Sequence, residues 1–591
     1  MSRFCPDLKG IDTSNTKEFS EDIIKPDVTY YHSSRSDEEK PDIKSAELIV
    51  EAELDIQDDP FNDTPDDKGL LCDSDGTRQT LGQMMRYATA HLAAQFRIHV
   101  FSILPFPKPA RLLRWDRAGV IVSDCVSLDK SQFAEFFWRF NNADAKDRGH
   151  DPTVTPFKFT KDLTKQFIFK QLQFEADPGD VKLQDVKFFE VMLPRENRRY
   201  VIGKATYLGV ASLASRATRS FRAWCLETKK PVFPKGTWRI LSDSQRPERD
   251  IHERLGAAKV PYIATVLDHS DVKNHLTIIG KYPFRTLQRY RLVLREIGRS
   301  LTSFTDFREV LAAMRDALQG NDTQLTTILL LTDLAAHRES YYQGRVLHRD
   351  ISPENIIIHD GGGLLIDWDM SKDSDETSIS RPVCVYFSNL RFSSSSPVAH
   401  FQGTWAFQSL RLSQRPENDD PPVVQNRLDD LESFYHVLFW ISLQHARHEL
   451  HPVELYDQLT WLFHHALIVD DMPYSNSRKD SHMTSTIIIT RAKFQNRPLF
   501  KLLLDISVNL RPLYVTPSAS GEKLTKPQIK KAQWVEESYE QALEIHKEDL
   551  DFLNSQEFSN WMELRFIQAL KCSDDEWGST EYILNKKAER T

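Results

Sequence analysis

Hydrophobic residues recur along this chain at two spacings, one typical of helices and one typical of strands. Apolar positions three and four residues apart predict amphipathic helices over residues 81–96, 131–142, 303–318 and 427–441. Short apolar runs bounded by polar residues predict strands over residues 96–106, 232–240 and 291–298. Asp429 and Glu432 predict a capping box at the start of the last helix. The mixture of patterns predicts an α+β protein.

Two further segments are predicted to form hairpins. Residues 110–124 and residues 356–366 each hold two apolar runs separated by residues that favour turns. The second hairpin matters for chemistry, because Asn355 precedes it and Asp367 follows it. A hairpin brings its two ends together, so these polar side chains are expected to share one site.

The first 76 residues show neither spacing. They are rich in Asp, Glu, Ser and Lys, and they include an acidic run over residues 51–67. Such a composition buries little apolar surface. We therefore expect a disordered acidic leader over residues 1–76, with order beginning near Leu81.

The segment VLHRDISPENIIIHDGGGLLIDWDMS, residues 346–371, carries the clearest candidate chemistry. His348, Arg349 and Asp350 are consecutive, and Asn355 and Asp367 follow. An aspartate can accept or orient the proton of a substrate hydroxyl, while amide and carboxylate oxygens are ligands that Mg²⁺ prefers. Phosphoryl transfer depends mostly on positioning and charge neutralisation. The pattern therefore predicts a phosphoryl-transfer site.

This segment resembles the catalytic and metal-binding loops of eukaryotic protein kinases, and of the fungal-type protein kinases in particular. GTWAFQS at residues 403–409 is similar to the end of that family's activation segment, and RLDDLESFYHVLFWI at residues 427–441 is similar to the helix after it. The resemblance implies a two-lobed kinase fold with an amino-terminal α/β extension. It also implies transfer of the γ-phosphoryl group of ATP to Ser or Thr hydroxyls of a protein substrate, with Mg²⁺ as cofactor.

The resemblance assigns a role to each candidate residue. Asp350 would be the base or hydroxyl-orienting group, and His348 and Arg349 would complete the catalytic motif, with Arg349 available to a phosphorylated activation segment. Asn355 and Asp367 would be the metal ligands. Asp430, in the helix of residues 427–441, would brace the backbone of the catalytic loop.

Two candidates for nucleotide binding lie upstream. Lys235, in the predicted strand VFPKGTWRI, would contact the α- and β-phosphates. Glu248, in PERDIHERL, would hold that lysine in place, with Glu253 as the competing candidate.

The chain departs from the family pattern in its glycine-rich loop, in the residues after Asp367 and at Ser352. The glycine-rich loop here is SLASRATR, so Ser215 and Ala217 stand where glycines would allow a positive φ. Asp367-Trp368-Asp369 replaces Asp-Phe-Gly and is close to the corresponding segment of small-molecule kinases. Ser352 occupies the place of a catalytic-loop lysine. Two alternatives therefore stay open: a nucleotide-binding pseudokinase scaffold and a small-molecule phosphotransferase.

We expect five regions along the chain. They are a leader over residues 1–76, a family-specific amino-terminal region over 77–193, a small lobe over 194–298, a large lobe over 299–470 and a helical carboxy-terminal part over 471–591. Residues 321–337 and 379–400 are extra relative to the family and form two candidate inserts.

Composition and charge limit the cellular compartments and partner classes that fit this chain. A 591-residue chain that is 40% hydrophobic can bury a substantial core, and its net charge of −9 argues against broad nucleic-acid binding. The six cysteines lack paired spacing, and no apolar run reaches transmembrane length. We therefore expect an intracellular protein of the cytoplasm or nucleus, with no nucleic-acid or membrane partner.

Overall fold

The fold is known from a computed structural model. It describes residues 4–16, 24–36, 38–66, 69–129, 131–172, 182–193, 198–209, 213, 215–241, 246–277, 286–318, 336–374, 404–414, 424–465, 467–469, 472–515, 547–573 and 577. The predicted inserts over residues 321–337 and 379–400 therefore lie almost wholly outside the described residues. No described helix is long and apolar enough to cross a membrane.

The chain divides into two compact units. The described residues of unit 1 lie within Met1–Arg246 and Val266–Ile297, and those of unit 2 lie within Pro247–Thr265, Gly298–Pro382 and Gly403–Thr591. This division differs from the five predicted regions. The amino-terminal region shares a unit with the predicted small-lobe strands, and residues 247–265 belong with the predicted large lobe.

The first part of unit 1 is a seven-stranded sheet with helices beside it. Its strands are β1 Leu8–Asp12, β2 Val28–His32, β3 Leu48–Val50, β6 Val100–Pro105, β7 Pro109–Asp116, β8 Gly119–Val122 and β9 Val126–Ser127. The hairpin of β4 Phe61–Asp66 and β5 Gly69–Leu71, with helices α1 Asp75–Ala94 and α2 Ser131–Asn142, completes this part. The strand order is β1-β2-β3-β6-β7-β8, with β9 paired to β7.

The prediction of a disordered leader is wrong for the described residues. Strands β1, β2 and β3 lie in the sheet, and β3 pairs in parallel with β6, after a crossover through α1. Tyr31, Leu48 and Ile49 are buried at 1%, 0% and 1% exposure. Order also precedes Leu81, because Ser74 caps α1 with a capping box to Thr77. Short strands with polar faces kept the average hydrophobicity of this region low.

The second part of unit 1 is a nine-stranded sheet. Its strands are β10 Val154–Pro156, β11 Phe189–Leu193, β12 Arg198–Ile202, β13 Tyr207–Gly209, β14 Thr218–Ser220, β15 Ala223–Cys225, β16 Lys230–Ile240, β17 Val266–Leu276 and β18 Leu287–Leu294, and helix α3 spans Asp162–Leu172. The order β10-β11-β12-β15-β16-β14-β13 places the long strand β16 near the centre, and β18 joins β16 to β17. Strand β16 confirms the strand predicted over residues 232–240.

Unit 2 is mainly helical. Its helices are α4 Glu248–Ala257, α5 Phe307–Leu318, α6 Ala336–Tyr342, α7 Leu410–Ser413, α8 Arg427–His445, α9 Pro452–Leu459, α10 Ser477–Thr484, α11 Ile487–Ala492, α12 Arg497–Leu510 and α13 Gln556–Leu570. Its strands are β19 Arg299–Ser300, β20 Val346–Leu347, β21 Ile356–His359, β22 Gly362–Leu365, β23 Lys372–Asp373, β24 Leu467–Val469 and β25 Met472–Tyr474. Helices and sheets together confirm the α+β class.

Helix α8 is the centre of unit 2. It is buried along nearly its whole length and packs against α12, which also contacts α13. Its capping box is formed by Asn426 and Asp429, one turn earlier than the predicted pair of Asp429 and Glu432. Helix α5 buries the apolar face that its sequence predicts and packs against β21 and β22. A rigid core therefore supports the hairpin on which the candidate chemistry depends.

Candidate active site

The predicted hairpin after Asn355 is present as β21 and β22. Ile356 pairs with Leu365 at its open end, and the two-residue turn is Asp360-Gly361 with φ values of 48° and 78°. Positive φ at both positions matches the twist of a tight hairpin, which favours Asp-Gly. Because the main-chain N–H of Ile366 donates to the carbonyl of Asn355 at 2.9 Å, the two ends of the hairpin are joined.

His348 lies at the base of the catalytic loop, which we define as residues 346–355. Its Nε2–H donates to the carbonyl of Ile366 at 3.0 Å, and its Nδ1 accepts from the main-chain N–H of Asp350 at 3.2 Å. The ring is fully buried and meets the edge of the Trp368 indole, with 4.5 Å between ring centroids. Both ring nitrogens are engaged by the main chain, so His348 positions the loop and does not react.

The burial of His348 predicts a pH-dependent stability. Burial lowers the pKa of this imidazole to about 4, against an ordinary value of 6.5. The unfolded chain takes up a proton below pH 6.5 while the folded state does not. The stabilisation is therefore complete above pH 6.5 and is lost as the pH falls towards 4, by about 3 kcal/mol in all.

Denaturant unfolding of the wild type and His348→Gln between pH 7.5 and 5 measures this effect. The difference in free energy of unfolding between the two proteins should shrink as the pH falls, because only the wild type loses the contribution of His348. Groups distant from His348 are the same in both proteins, so their contributions cancel. A difference that stays constant across this range would contradict the assignment.

Asn355 and Asp367 flank the hairpin as predicted. Nδ2 of Asn355 donates to the carbonyl of Asp350 at 2.9 Å, which leaves its amide oxygen as the atom suited to a metal. Asp367 has φ 66° and ψ 63°, and Arg349 has φ 72°, so both adopt the left-handed conformation. Such a conformation costs ~1–3 kcal/mol for a non-glycine residue and is found most often at functional sites. The loop and the hairpin end are thus both held in strained geometry.

Asp430, in α8, braces the catalytic loop. Its Oδ2 accepts from the main-chain N–H of Arg349 at 3.0 Å and lies 3.2 Å from Nε2 of His337. Its Oδ1 accepts from Nε2 of Gln425 at 3.1 Å, and Oε1 of Gln425 accepts from Nε of Arg349 at 3.2 Å. Asp430 is only 1% exposed. This arrangement confirms the brace that the sequence predicts.

Three carboxylates converge at the end of the hairpin. One oxygen each of Glu248, Asp367 and Asp369 lies within 4.8 Å of the others, and Oε1 of Glu248 accepts from the main-chain N–H of Trp368 at 3.1 Å. Clustered carboxylates repel one another unless a cation lies between them, and oxygen ligands suit Mg²⁺. The donor set therefore fits a divalent metal, and Glu248 is placed with the metal candidates. Asp369, which replaces a glycine of the family pattern, adds one of the three.

Lys235 lies in unit 1, in the middle of β16. It is buried at 6% exposure, and its register partners are Ser220 on β14 and Leu292 on β18. Burial among strands matches the strand lysine of the family pattern. Its assignment to the nucleotide phosphates, and that of Glu248 as its partner, stay predictions.

The glycine-poor loop connects β13 to β14, and residues 213 and 215–217 of it are described. Ala217 has φ 44° and is buried at 1% exposure. An alanine there bears a strain of ~1–2 kcal/mol that a glycine would avoid. The carbonyl of Arg216 accepts from the main-chain N–H of Trp238 at 2.8 Å, which fastens this end of the loop to β16. The loop thus keeps a glycine-like backbone at the predicted position.

Residues 404–413, which begin with the described part of the GTWAFQS segment, are held against α8. Oγ of Ser409 donates to Oδ1 of Asp429 at 2.6 Å, and Oε1 of Glu432 accepts from the main-chain N–H of Leu410 at 2.7 Å. Burial raises the pKa of Glu432 to about 7. This segment is therefore part of the core of unit 2.

Three supporting residues were not predicted from the sequence. His337 and Gln425 contact Asp430, and Nζ of Lys479 donates to the carbonyl of Gln408 at 2.7 Å. His337 was included in a predicted insert, yet it belongs to α6. His337 and Lys479 lie far along the chain from these partners, and Gln425, five residues before Asp430, also contacts the distant Arg349, so no local pattern marks their roles.

The comparisons with known proteins agree with this geometry. A family model described as fungal protein kinase matches residues 69–282 and 273–442, which together span more than half of the 591 residues. The matched range includes the catalytic loop, the hairpin and Asp430. No curated protein matches the chain. On the extent of this match, the chain belongs to the fungal protein kinase family.

Proposed function

We propose that the protein transfers the γ-phosphoryl group of ATP to Ser or Thr hydroxyls of a protein substrate, with Mg²⁺ as cofactor. One observation carries the proposal: the hydrogen bonds that join Asp350, Asn355 and the residue before Asp367 into a single braced unit. A kinase needs a carboxylate for the hydroxyl and oxygen ligands for the metal within one rigid site. This unit supplies both.

Asp350 is the proposed catalytic residue. Its carboxylate orients the substrate hydroxyl and takes its proton as the oxygen–phosphorus bond forms and the bond to the leaving diphosphate breaks. The main-chain N–H and C=O of Asp350 are engaged by His348 and Asn355, which fixes the backbone from which the side chain extends. The residue is half-buried, so a substrate can reach it.

The proposed metal ligands are Asn355 and Asp367, with Asp369 and Glu248 beside them. When bound, Mg²⁺ would neutralise charge on the phosphates of the nucleotide. Asn355 contributes an oxygen without adding charge, while the carboxylates contribute negative charge. The strained backbone of Asp367 and its place in the carboxylate cluster support this assignment.

A protein substrate is supported by residues 404–413. This segment resembles the family's platform next to the substrate, and its buried contacts with Asp429 and Glu432 hold it on α8. Asp-Trp-Asp and Ser352 favour the alternative of a small-molecule acceptor. Ser352 is buried at 3% exposure, and its carbonyl accepts from the main-chain N–H of Asn355 at 3.1 Å, so it serves the local fold.

A panel of acceptors separates these possibilities. Purified full-length protein is incubated with Mg²⁺ and ATP, beside casein, a basic protein, and small alcohols such as choline and an aminoglycoside. We expect transfer to Ser or Thr of a protein acceptor and none to the small alcohols. Transfer to a small alcohol alone would overturn the protein-kinase assignment. Binding of ATP without transfer to any acceptor would indicate a pseudokinase.

A further inference from the structure

Four of the nine residues that line a narrow cavity in unit 1 are arginines. The space between its walls is small and partly open to solvent. The walls come from both parts of the unit. They are formed by Phe96, Arg97, Ile98, Arg117, Asp151, Arg219, Trp238, His275 and Arg289. We call this the arginine cavity; it holds four guanidinium groups and one carboxylate.

Aromatic rings hold two of these guanidinium groups. Arg219 lies over the Phe96 ring at 5.5 Å, and Arg289 lies over the Trp238 ring at 5.7 Å. Stacking fixes the plane of a guanidinium group without consuming its N–H donors. Arg219 also donates to the carbonyl of Gln95 at 2.8 Å, at the carboxyl end of α1. These arginines are thus positioned mostly by contacts that neutralise little of their charge.

Two nearby carboxylates also bind arginines outside the cavity: Asp151 accepts from Arg291 at 2.7 Å, and Asp116 accepts from Arg114 at 3.3 Å. Glu47 lies 3.2 Å from Arg97, which itself lines the cavity. Arg114 and Asp116 both belong to β7, and Arg117, the next residue, lines the arginine cavity and also feels the charge of Asp116.

The result is an excess of buried positive charge. Arg117 and Arg219 are only 2% and 6% exposed. Burial, followed by repulsion from a neighbouring arginine, lowers the pKa of Arg117, Arg219 and Arg289 to about 9 each. A guanidinium group still keeps its proton at neutral pH, so its charge must be offset by an anion. Among the described residues, Asp116 and Asp151 are the carboxylates that act on these three arginines, so two negative charges face three positive ones.

We propose that the arginine cavity binds the phosphoryl group of inorganic phosphate or of a phosphomonoester, at a site formed by Arg117, Arg219 and Arg289. Forked guanidinium donors match the oxygens of a phosphate. A doubly charged oxyanion also offsets more of the arginine excess than a halide does. The lining residues all belong to unit 1, and none of them is proposed to act in phosphoryl transfer.

The cavity wall also supports the glycine-poor loop. Ile98 and Trp238 pack with Ala217 in one apolar cluster, and Trp238 holds the carbonyl of Arg216. An anion that fixes Arg289 over Trp238 therefore stabilises the wall on which the strained end of the loop rests. Binding of the anion is therefore coupled to the loop through Arg289 and Trp238.

The test measures binding to the full-length protein without nucleotide. Thermal unfolding is followed with increasing sodium phosphate, with O-phosphoserine, and with sodium chloride at matched ionic strength. We expect phosphate to raise Tm in a saturable manner, above any effect of chloride. A shift with phosphate alone identifies free phosphate as the source, and a shift with O-phosphoserine as well identifies a phosphomonoester. Both results support the site, and no shift beyond that of chloride would overturn it.

Single substitutions test whether phosphate binds in the arginine cavity. Arg117→Gln and Arg289→Gln should weaken phosphate binding at least tenfold, and without phosphate their Tm should equal or exceed that of the wild type, since repulsion is relieved. Arg139→Gln, which removes an exposed arginine paired with Glu135, should bind phosphate as the wild type does. If a glutamine variant fails to fold, Arg117→Lys replaces it, because lysine keeps the positive charge but lacks the forked N–H donors of a guanidinium group. Equal binding by every variant would refute the proposal, whatever the outcome of the kinase assay.

Discussion

Asp350→Asn is expected to lower phosphoryl transfer by about 10²- to 10⁴-fold, which is the usual contribution of a positioned acid or base. Asparagine has nearly the same shape as aspartate but cannot take the hydroxyl proton. The hydrogen bonds that Asp350 makes to His348 and Asn355 involve its main chain, so the substitution leaves them intact. The loss should therefore appear in kcat with little change in Tm. Transfer of radiolabelled phosphate at saturating ATP measures it.

Asp360→Asn is the matched control for this experiment. Asp360 occupies the turn of the same hairpin, its side chain is 90% exposed, and asparagine tolerates its φ of 48°. The control should keep wild-type activity. If Asp350→Asn were as active as Asp360→Asn, Asp350 would not be the catalytic carboxylate.

Asp430→Ala is expected to destabilise the protein more than any other single change at the site. It leaves the main-chain N–H of Arg349 and the side chains of His337 and Gln425 without their shared acceptor in a buried place. Loss of one member of such a buried network costs about 3 kcal/mol or more. A loss of 3 kcal/mol lowers Tm by about 6–12 °C in a unit of this size. Calorimetry of the full-length protein measures it.

Two controls make the result specific to the brace. Glu449→Ala removes an exposed ion pair with Lys493, 2.7 Å long, and should cost less than about 1 kcal/mol. Asp430→Asn keeps one acceptor oxygen and should fall between the wild type and Asp430→Ala. Activity should fall with stability in the Asp430 variants, because the strained backbone of Arg349 depends on this carboxylate. If Asp430→Ala unfolded like Glu449→Ala, the brace would contribute little.

The sequence predicted the local parts of the site well. The hairpin of β21 and β22 follows from apolar runs and a turn of favourable residues, and its register alone places Asp367 beside Asn355. The strand of Lys235 was also predicted, because its apolar pattern lies within a few consecutive residues. These features depend on residues that are close along the chain, so the sequence pattern predicts them.

Long-range features escaped prediction for physical reasons. The leader forms part of a sheet because β3 pairs with β6 across α1, and its short polar-faced strands have no average signal. Glu432 was predicted to form a helix cap, but its carboxylate accepts a buried hydrogen bond from the main-chain N–H of Leu410. Asn426 is the N-cap residue of α8. The arginine cavity draws its walls from segments about 200 residues apart. Such contacts between distant segments exist only in the folded chain.

The metal dependence of phosphoryl transfer tests whether Asp367 holds Mg²⁺ at a working kinase site. Transfer from ATP to a protein acceptor is measured against Mg²⁺ concentration for the wild type and Asp367→Asn, with His359→Gln, a half-buried hairpin substitution, as control. We expect wild-type and control transfer to saturate with Mg²⁺ and to stop in EDTA, and we expect Asp367→Asn to be at least about 100-fold slower at every concentration. Folded wild-type protein without Mg²⁺-dependent transfer, or Asp367→Asn as active as the wild type, would contradict it.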